Sequence, residues 1–214
     1  IQCLSMEKTI NFQKLFFETI EKIPTTGSKP TLLLHACCGP CFTIPYELLK
    51  EHFDITILFN NSNIYPEEEH NRRLNELKRY VQEVCSDIKI IEIPYDNATY
   101  NIDLEPMAEQ KEGYERCRTC FRKRLSFGYQ YAVEHNFDYF GTVMTISRYK
   151  NAQDINRIGF ELQNAQKEGT KTKWLPADFK KSNGYEKSLI IINEHKMYFQ
   201  DYCGCVYSYR KKFH

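Results

Sequence analysis

The chain has 214 residues, 42% of them apolar, with 29 Lys and Arg set against 28 Asp and Glu. That is room for one sizeable core, and it excludes a disordered polyelectrolyte. The formal net charge of +1 neither demands nor excludes a nucleic-acid partner, so local clustering has to decide. No apolar run approaches the roughly 20 residues of a membrane span, and the first residues show no basic stretch followed by an apolar one; a cytoplasmic protein is expected, with no membrane partner.

Along the chain, residues 11–23 place Phe12, Leu15, Phe16, Thr19, Ile20 and Ile23 at helical spacing. Residues 24–30 read as a loop. Residues 31–35 form a short apolar run suited to a buried parallel strand, followed at once by Cys37-Cys38-Gly39-Pro40-Cys41 and a helix from about 40 to 52. A second strand is expected over 54–59, a polar loop over 60–66, and an amphipathic helix over 67–84, with Leu74, Leu77, Val81 and Val84 on one face and an acidic first turn. Residues 88–93 predict a third strand, 97–113 an irregular or partly helical stretch, 118–135 a long helix, 138–143 a fourth strand and 151–167 another helix. Beyond Gly169 the pattern weakens. Residues 174–184 read as a structured loop, 185–195 as a helix and 202–209 as a terminal loop.

Strand–helix alternation with short connections implies an α/β fold with an open, mostly parallel sheet and helices on both faces; the expected architecture is HUP/nucleotide-hydrolase-like. The expected organisation is a single domain. Residues 1–30 form an N-terminal helix and loop, 31–168 the α/β core, and 169–214 a C-terminal extension closing over the site.

Nine cysteines is a high count, and seven fall into three groups: Cys37-Cys38-x-x-Cys41, Cys117-x-x-Cys120 and Cys203-x-Cys205. Each group alone is a weak signal; three in a chain with no export signal favour metal ligation or redox chemistry over disulfides. The first group follows strand one at a helix start, where sites of open parallel sheets lie and where unpaired N–H groups favour thiolate. Four thiolates suffice for one cubane cluster or one zinc ion; seven leave a surplus, for a second metal or a redox thiol pair. Asp96, just beyond strand three, is a candidate oxygen ligand or proton donor, with a turn or cap role as the plainer reading. Cys3 and Cys85 stand apart, and Cys85 reads as packing.

In order along the chain come His-Ala-Cys-Cys-Gly-Pro-Cys at 35–41, Asn-Ile-Tyr-Pro-Glu-Glu-Glu at 63–69 and Glu-Arg-Cys-Arg-Thr-Cys-Phe at 115–121. Thr-Ile-Ser at 145–147, Lys-Asn-Ala-Gln at 150–153, Asp-Phe-Lys-Lys at 178–181, Asn-Gly-Tyr at 183–185 and Tyr-Cys-Gly-Cys at 202–205 follow. Together these motifs resemble the cobalamin-independent epoxyqueuosine reductase QueH family over roughly 31–208. The resemblance implies an oxidoreductase that removes the epoxide oxygen of epoxyqueuosine in a tRNA anticodon loop. It also implies a [4Fe-4S] cluster and an adjacent mononuclear metal, iron or zinc. The family's seven cysteines correspond to Cys37, Cys38, Cys41, Cys117, Cys120, Cys203 and Cys205, with Asp96 as the preferred carboxylate; their division between cluster and metal stays open. The partners implied are a tRNA with a queuosine-precursor anticodon and an external electron donor. Candidate proton donors are His35, Tyr202 and Asp96, with His35 ranked low as a core histidine.

Phosphate contact calls for clustered Lys and Arg, and a single-stranded loop for stacking aromatics. Basic clusters flank the cysteine motifs, and Arg116, Arg148, Lys150, Lys180 and Lys181 are the expected substrate contacts, with Tyr149, Trp174, Tyr185, Tyr202 and Tyr207 nearby. Two competing readings are an iron–sulfur-dependent tRNA thiolase, whose pyrophosphate loop is not matched by 36–41, and a zinc-stabilised tRNA-binding module. Walker, dinucleotide and zincin motifs are absent.

Overall fold

A computed structural model of the chain describes residues 9–24 and 27–213; Cys3 and the reading of the first eight residues lie outside them. The strands are β1 (Thr31–His35), β2 (Asp54–Phe59), β3 (Ile90–Glu92), β4 (Tyr139–Thr142) and β5 (Lys173–Trp174). They form one sheet in the order β3-β2-β1-β4-β5, every pairing parallel. The helices are α1 (Phe12–Ile20), α2 (Gly39–Leu49), α3 (Glu67–Val84), α4 (Asn97–Asn101), α5 (Glu115–Glu134), α6 (Ala152–Asn164), α7 (Gly184–Glu194) and α8 (Val206–Phe213). The expected open parallel α/β architecture is what the chain adopts.

The period-2 alternation of β1 explains the layering. Leu32 and Leu34 point into one core with Ile55 and Ile57 of β2 and with Phe16, Phe42, Leu77 and Ile192, contributed by α1, α2, α3 and α7. Leu33 points to the other face and meets Leu58, Leu125, Tyr129, Phe140, Ile155 and Trp174, where α5 and α6 pack. Both faces of the strand are buried, so its sequence is an unbroken apolar run. β1 lies between β2 and β4, and chain order reverses between β1 and β4; that makes the carboxyl end of β1 the switch point at which open α/β sheets bind ligands.

Three local expectations need correction. The stretch 174–184 is not all loop, because Lys173 and Trp174 pair with Tyr139 and Phe140 as the edge strand β5. Two residues are too few to show alternation, and this strand falls past residue 168, where the sequence reading ended the core. The terminal stretch is helical from Val206 to Phe213, with Arg210, Lys211 and Lys212 in its last turn, where cations suit the helix dipole. The helix expected over 118–135 begins at Glu115, so Cys117 and Cys120 lie in its opening turns. No helix among the described residues is long and apolar enough to cross a membrane.

Candidate metal centre

The first cysteine group sits at the switch point. Cys38 directly precedes α2 in extended backbone with no side-chain cap, and Cys41 lies in the first turn. Cys37, Cys38 and Cys41 are buried, and their sulfurs all lie within 4.8 Å of one another. Cys38 Sγ is 2.6 Å from Cys41 Sγ and 3.9 Å from Cys37 Sγ. All eight cysteines of the described residues are free thiols. Three converging sulfurs at a helix N-terminus are a donor set for a soft metal or an iron–sulfur cluster.

The second group opens α5. Gly113, at φ +90°, turns its N–H onto Cys117 Sγ at 3.2 Å, a backbone shape that glycine adopts without penalty. The Tyr100 hydroxyl reaches both the carbonyl of Cys120, at 2.9 Å, and its sulfur, at 3.3 Å.

The third group lies in the loop before α8, and Arg73 holds it. On α3, Arg73 Nε donates to Glu69 at 2.6 Å, an i,i+4 pair with both side chains buried. Its other nitrogens donate to the carbonyls of Cys203 at 3.3 Å and Tyr202 at 3.4 Å. A Cβ at Gly204 would stand 2.8 Å from this guanidinium. Gly204 also has φ +109°, so glycine is needed there both for space and for conformation.

Cys37, Cys41 and Cys203 line one cavity of about 280 Å³, together with Arg73, Lys150 and Tyr202. Cys117 and Cys120 do not line it. Burial raises the pKa of Cys117, with the nearby Cys203 and Cys120 adding to the rise. Cys205 is raised by its hydrogen bond with Cys203 and by burial, and the charge of Cys120 adds.

Hydrogen bonds from Cys38 and Cys41 hold Cys37 well below the usual thiol range despite burial. Cys203 is lowered likewise by its bond to Cys205, with Lys150, Arg124 and Arg73 contributing. Burial lifts Cys38 to about 12, and Cys41 is raised mainly by hydrogen bonds with Cys37 and Cys38. Burial alone would disfavour the charge on Lys150, but the thiolates of Cys203 and Cys37, with the nearby Cys41 adding, outweigh it and raise its pKa. Arg124, buried on α5, faces the same balance: burial opposes it, while Cys120, Tyr100, Cys37 and Cys203 raise it. Buried thiolates thus sit among buried cations, the compensation that buried charge requires.

The remaining sequence candidates fall in different places. His35 is fully buried, with Nδ1 2.9 Å from Thr142 Oγ1. Burial, reinforced by Arg124, lowers its pKa to about 4, so it is a neutral core imidazole. Asp96 is exposed and caps α4 by accepting from Thr99 N at 3.1 Å. That bonding lowers its pKa, and its hydrogen bonds go to Ser62 and Thr99, not to a cysteine. Tyr202 lines the cavity and donates to the Tyr65 carbonyl at 2.7 Å; burial raises its pKa.

Arg116 is turned inward. It donates to the carbonyls of Met107, Ala108 and Gln110 and lies 4.5 Å from the centre of the Tyr207 ring. Trp174 is core, with Nε1 donating to Asn156 Oδ1 at 3.1 Å. Arg148 and Lys150 do line the cysteine cavity, and Arg148 stacks 4.2 Å from the Tyr185 ring centre. Lys180 is tied to Asp178 at 2.7 Å, whereas Lys181 is exposed.

The roles of four residues at this site escaped the sequence reading: Arg73, Tyr100 and Gln200, and Arg124, which entered it only as part of the basic cluster Arg122-Lys123-Arg124. Gln200 points its amide nitrogen at Cys38 Sγ, 3.1 Å away. Two of the four had a signal. Arg73 interrupts the apolar stripe of α3 beside Leu74 and Leu77, and Arg124 follows Cys117 and Cys120 at i+7 and i+4, on one helix face. Tyr100 and Gln200 lie in segments without periodicity.

The family model for "Epoxyqueuosine reductase QueH" matches residues 32–211. Among curated proteins, the epoxyqueuosine reductase QueH of Staphylococcus aureus (strain Mu50) is 38% identical over 205 residues, 93% of this chain and 84% of the relative. That of Streptococcus pyogenes serotype M1 is 37% identical over 209 residues, 96% and 80% of the two chains. That of Acinetobacter baylyi is 34% identical over 190 residues, 88% and 84%.

Proposed function

The chain belongs to the epoxyqueuosine reductase QueH family, and from that premise we propose that it reduces the epoxide of epoxyqueuosine in a tRNA anticodon loop to the alkene of queuosine, in the cytoplasm. The reaction takes two electrons and two protons and releases water. An external donor supplies the electrons.

The observation that carries this reading is the set of three buried sulfurs within 4.8 Å of one another under a cavity whose wall also carries Cys203. In our reading Cys37, Cys38, Cys41, Cys117, Cys120, Cys203 and Cys205 hold a [4Fe-4S] cluster and an adjacent mononuclear iron or zinc. When bound, the cluster delivers electrons one at a time and the second metal acts as a Lewis acid. The protein's own residues do the rest. Lys150, Arg124 and Arg73 offset the thiolate charge. Tyr202, lining the cavity with its proton retained at neutral pH, is favoured as proton donor over the core imidazole of His35 and the exposed cap Asp96. Phe199, Gln200 and Tyr202, on the same wall as Cys203, let the C-terminal extension close the site within a single domain. Arg148, Lys150 and Lys181 are the proposed phosphate contacts.

The test is anaerobic reconstitution with iron and sulfide, followed by incubation with tRNA carrying epoxyqueuosine and a chemical reductant. The expected result is reductant-dependent conversion of the nucleoside to queuosine, with loss of one oxygen. A spectroscopically complete cluster with no conversion overturns the proposal. Colourless protein holding only zinc would favour a tRNA-binding module.

A further inference from the structure

The cysteine cavity does not stand alone. A larger depression of about 1230 Å³ adjoins it, lined by α1, by the loop leading into α6 and by Asp178, Lys180, Lys181 and Ser182. The two hollows share three lining residues, Arg148, Tyr149 and Lys150. Tyr149 is the ridge between them, and its side chain is 76% exposed, the most exposed large apolar residue of the described chain. Exposing an aromatic ring to that degree gains nothing for folding.

The neighbours of Tyr149 are held still. Arg148 is anchored to Tyr185 by a 3.3 Å hydrogen bond and by ring stacking, and Asn151 caps α6 by accepting from Gln153 N at 2.8 Å. The ring therefore projects from a supported backbone. In the larger hollow, Lys14 pairs with Glu18 and Lys180 with Asp178. Lys150 faces the charge of Cys203 and Cys37, whereas Arg148 and Lys181, which also line the hollow, have no carboxylate ion-pair partner among the described residues, which leaves that rim positive on the side of Tyr149.

We propose that Tyr149 is a stacking platform for single-stranded RNA: a base next to the modified nucleotide lies on its ring, and the flanking phosphates enter the larger hollow past Arg148 and Lys181. The inference rests on the tRNA substrate proposed above and adds a residue and a path to it. The smaller cavity, at about 280 Å³, lies just below the roughly 300–1,000 Å³ usual for drug-sized ligands. It has room for one modified base, so the neighbouring nucleotides must lie outside it. Exposed bases of RNA loops are held on aromatic faces of this kind, in a sequence-tolerant way. α1, which forms the far wall, precedes the residues matched by the family model, so this groove is partly built from sequence outside the shared core.

The test uses the reconstituted full chain with Tyr149→Ala and Tyr149→Phe. Two readouts are taken: binding of a short anticodon stem–loop RNA carrying ordinary guanosine, and KM and kcat on tRNA carrying epoxyqueuosine. Tyr149→Ala should weaken stem–loop binding and raise KM by about tenfold, the scale of one lost base–aromatic stack, with kcat and thermal stability unchanged. Tyr149→Phe should stay within about twofold of the parent, because the ring and not the hydroxyl stacks. Unchanged binding and KM in Tyr149→Ala overturns the proposal, as does a fall in kcat alone. The binding arm needs no turnover, so failure of the reductase reading would show as an inactive parent protein and would leave the Tyr149 result legible.

Discussion

At the residue scale, Arg73 decides whether the third cysteine group is held near the first. Its pair with Glu69 is buried, with side-chain exposures of 2% and 9%. Pairs of this kind contribute little relative to an apolar replacement, but removing one partner leaves an uncompensated charge and costs about 3–5 kcal/mol. Arg73→Ala also releases the carbonyls of Tyr202 and Cys203. The expected outcome is a melting temperature lower by roughly 6–20 °C, at 2–4 °C per kcal/mol for a chain of this size, with reduced metal retention. Thermal scans of the loaded protein check it; an unchanged midpoint would mean that Arg73 is not holding this loop. The sequence showed the cysteine groups but not their supports. Cysteines in tight groups are legible because few other roles need that spacing, whereas the value of Arg73 comes from carbonyls 129 and 130 positions away. Asp96 is the opposite case: a turn or cap role was its plainer reading after a strand, and its side chain caps a five-residue helix.

At the element scale, the long amphipathic helices and the apolar strands were readable because each buries a stripe or a face at its own period. β5 and α8 were not. A two-residue strand is defined by its neighbour β4, and α8 follows the Gly204 turn with no buried residue of its own. The close approach of α6 to β5 was equally hidden. A Cβ on Gly159 would stand 2.1 Å from the Trp174 ring, which is itself buried and bonded to Asn156. Gly159→Ala gains helix propensity worth about 1 kcal/mol, yet the ring has no room to yield, and overpacking costs about 1–3 kcal/mol. The expected outcome is a net loss of stability, read as a lower denaturation midpoint at unchanged slope; a stabilised variant would show that the helix and ring can separate freely.

At the scale of the whole molecule, parallel pairing with a chain reversal beside β1 brings the first cysteine group to the sheet's carboxyl edge, and Arg73 ties the loop carrying the third group to α3. A net charge of only +1 means that recognition of a polyanion rests on a local patch. Lys181, exposed beside the groove, is placed to meet phosphate, whereas Lys180 is already held by Asp178 and by the Thr145 carbonyl. Lys181→Gln should therefore weaken tRNA binding and flatten the log–log salt dependence by about 0.7, the contribution of one single-strand phosphate contact. Titrations at several salt concentrations check this, and an unchanged slope removes Lys181 from the interface.

The account depends on sulfurs from distant parts of the chain holding metal at one place. An anomalous-scattering map at the iron edge, from anaerobically reconstituted crystals, tests this most directly. The predicted result is iron density bonded to sulfurs of the 37–41 group, with Cys117, Cys120, Cys203 and Cys205 supplying the remaining thiolate ligands around it. Iron absent from the 37–41 group, or bound only at sites far from Cys203, would contradict it.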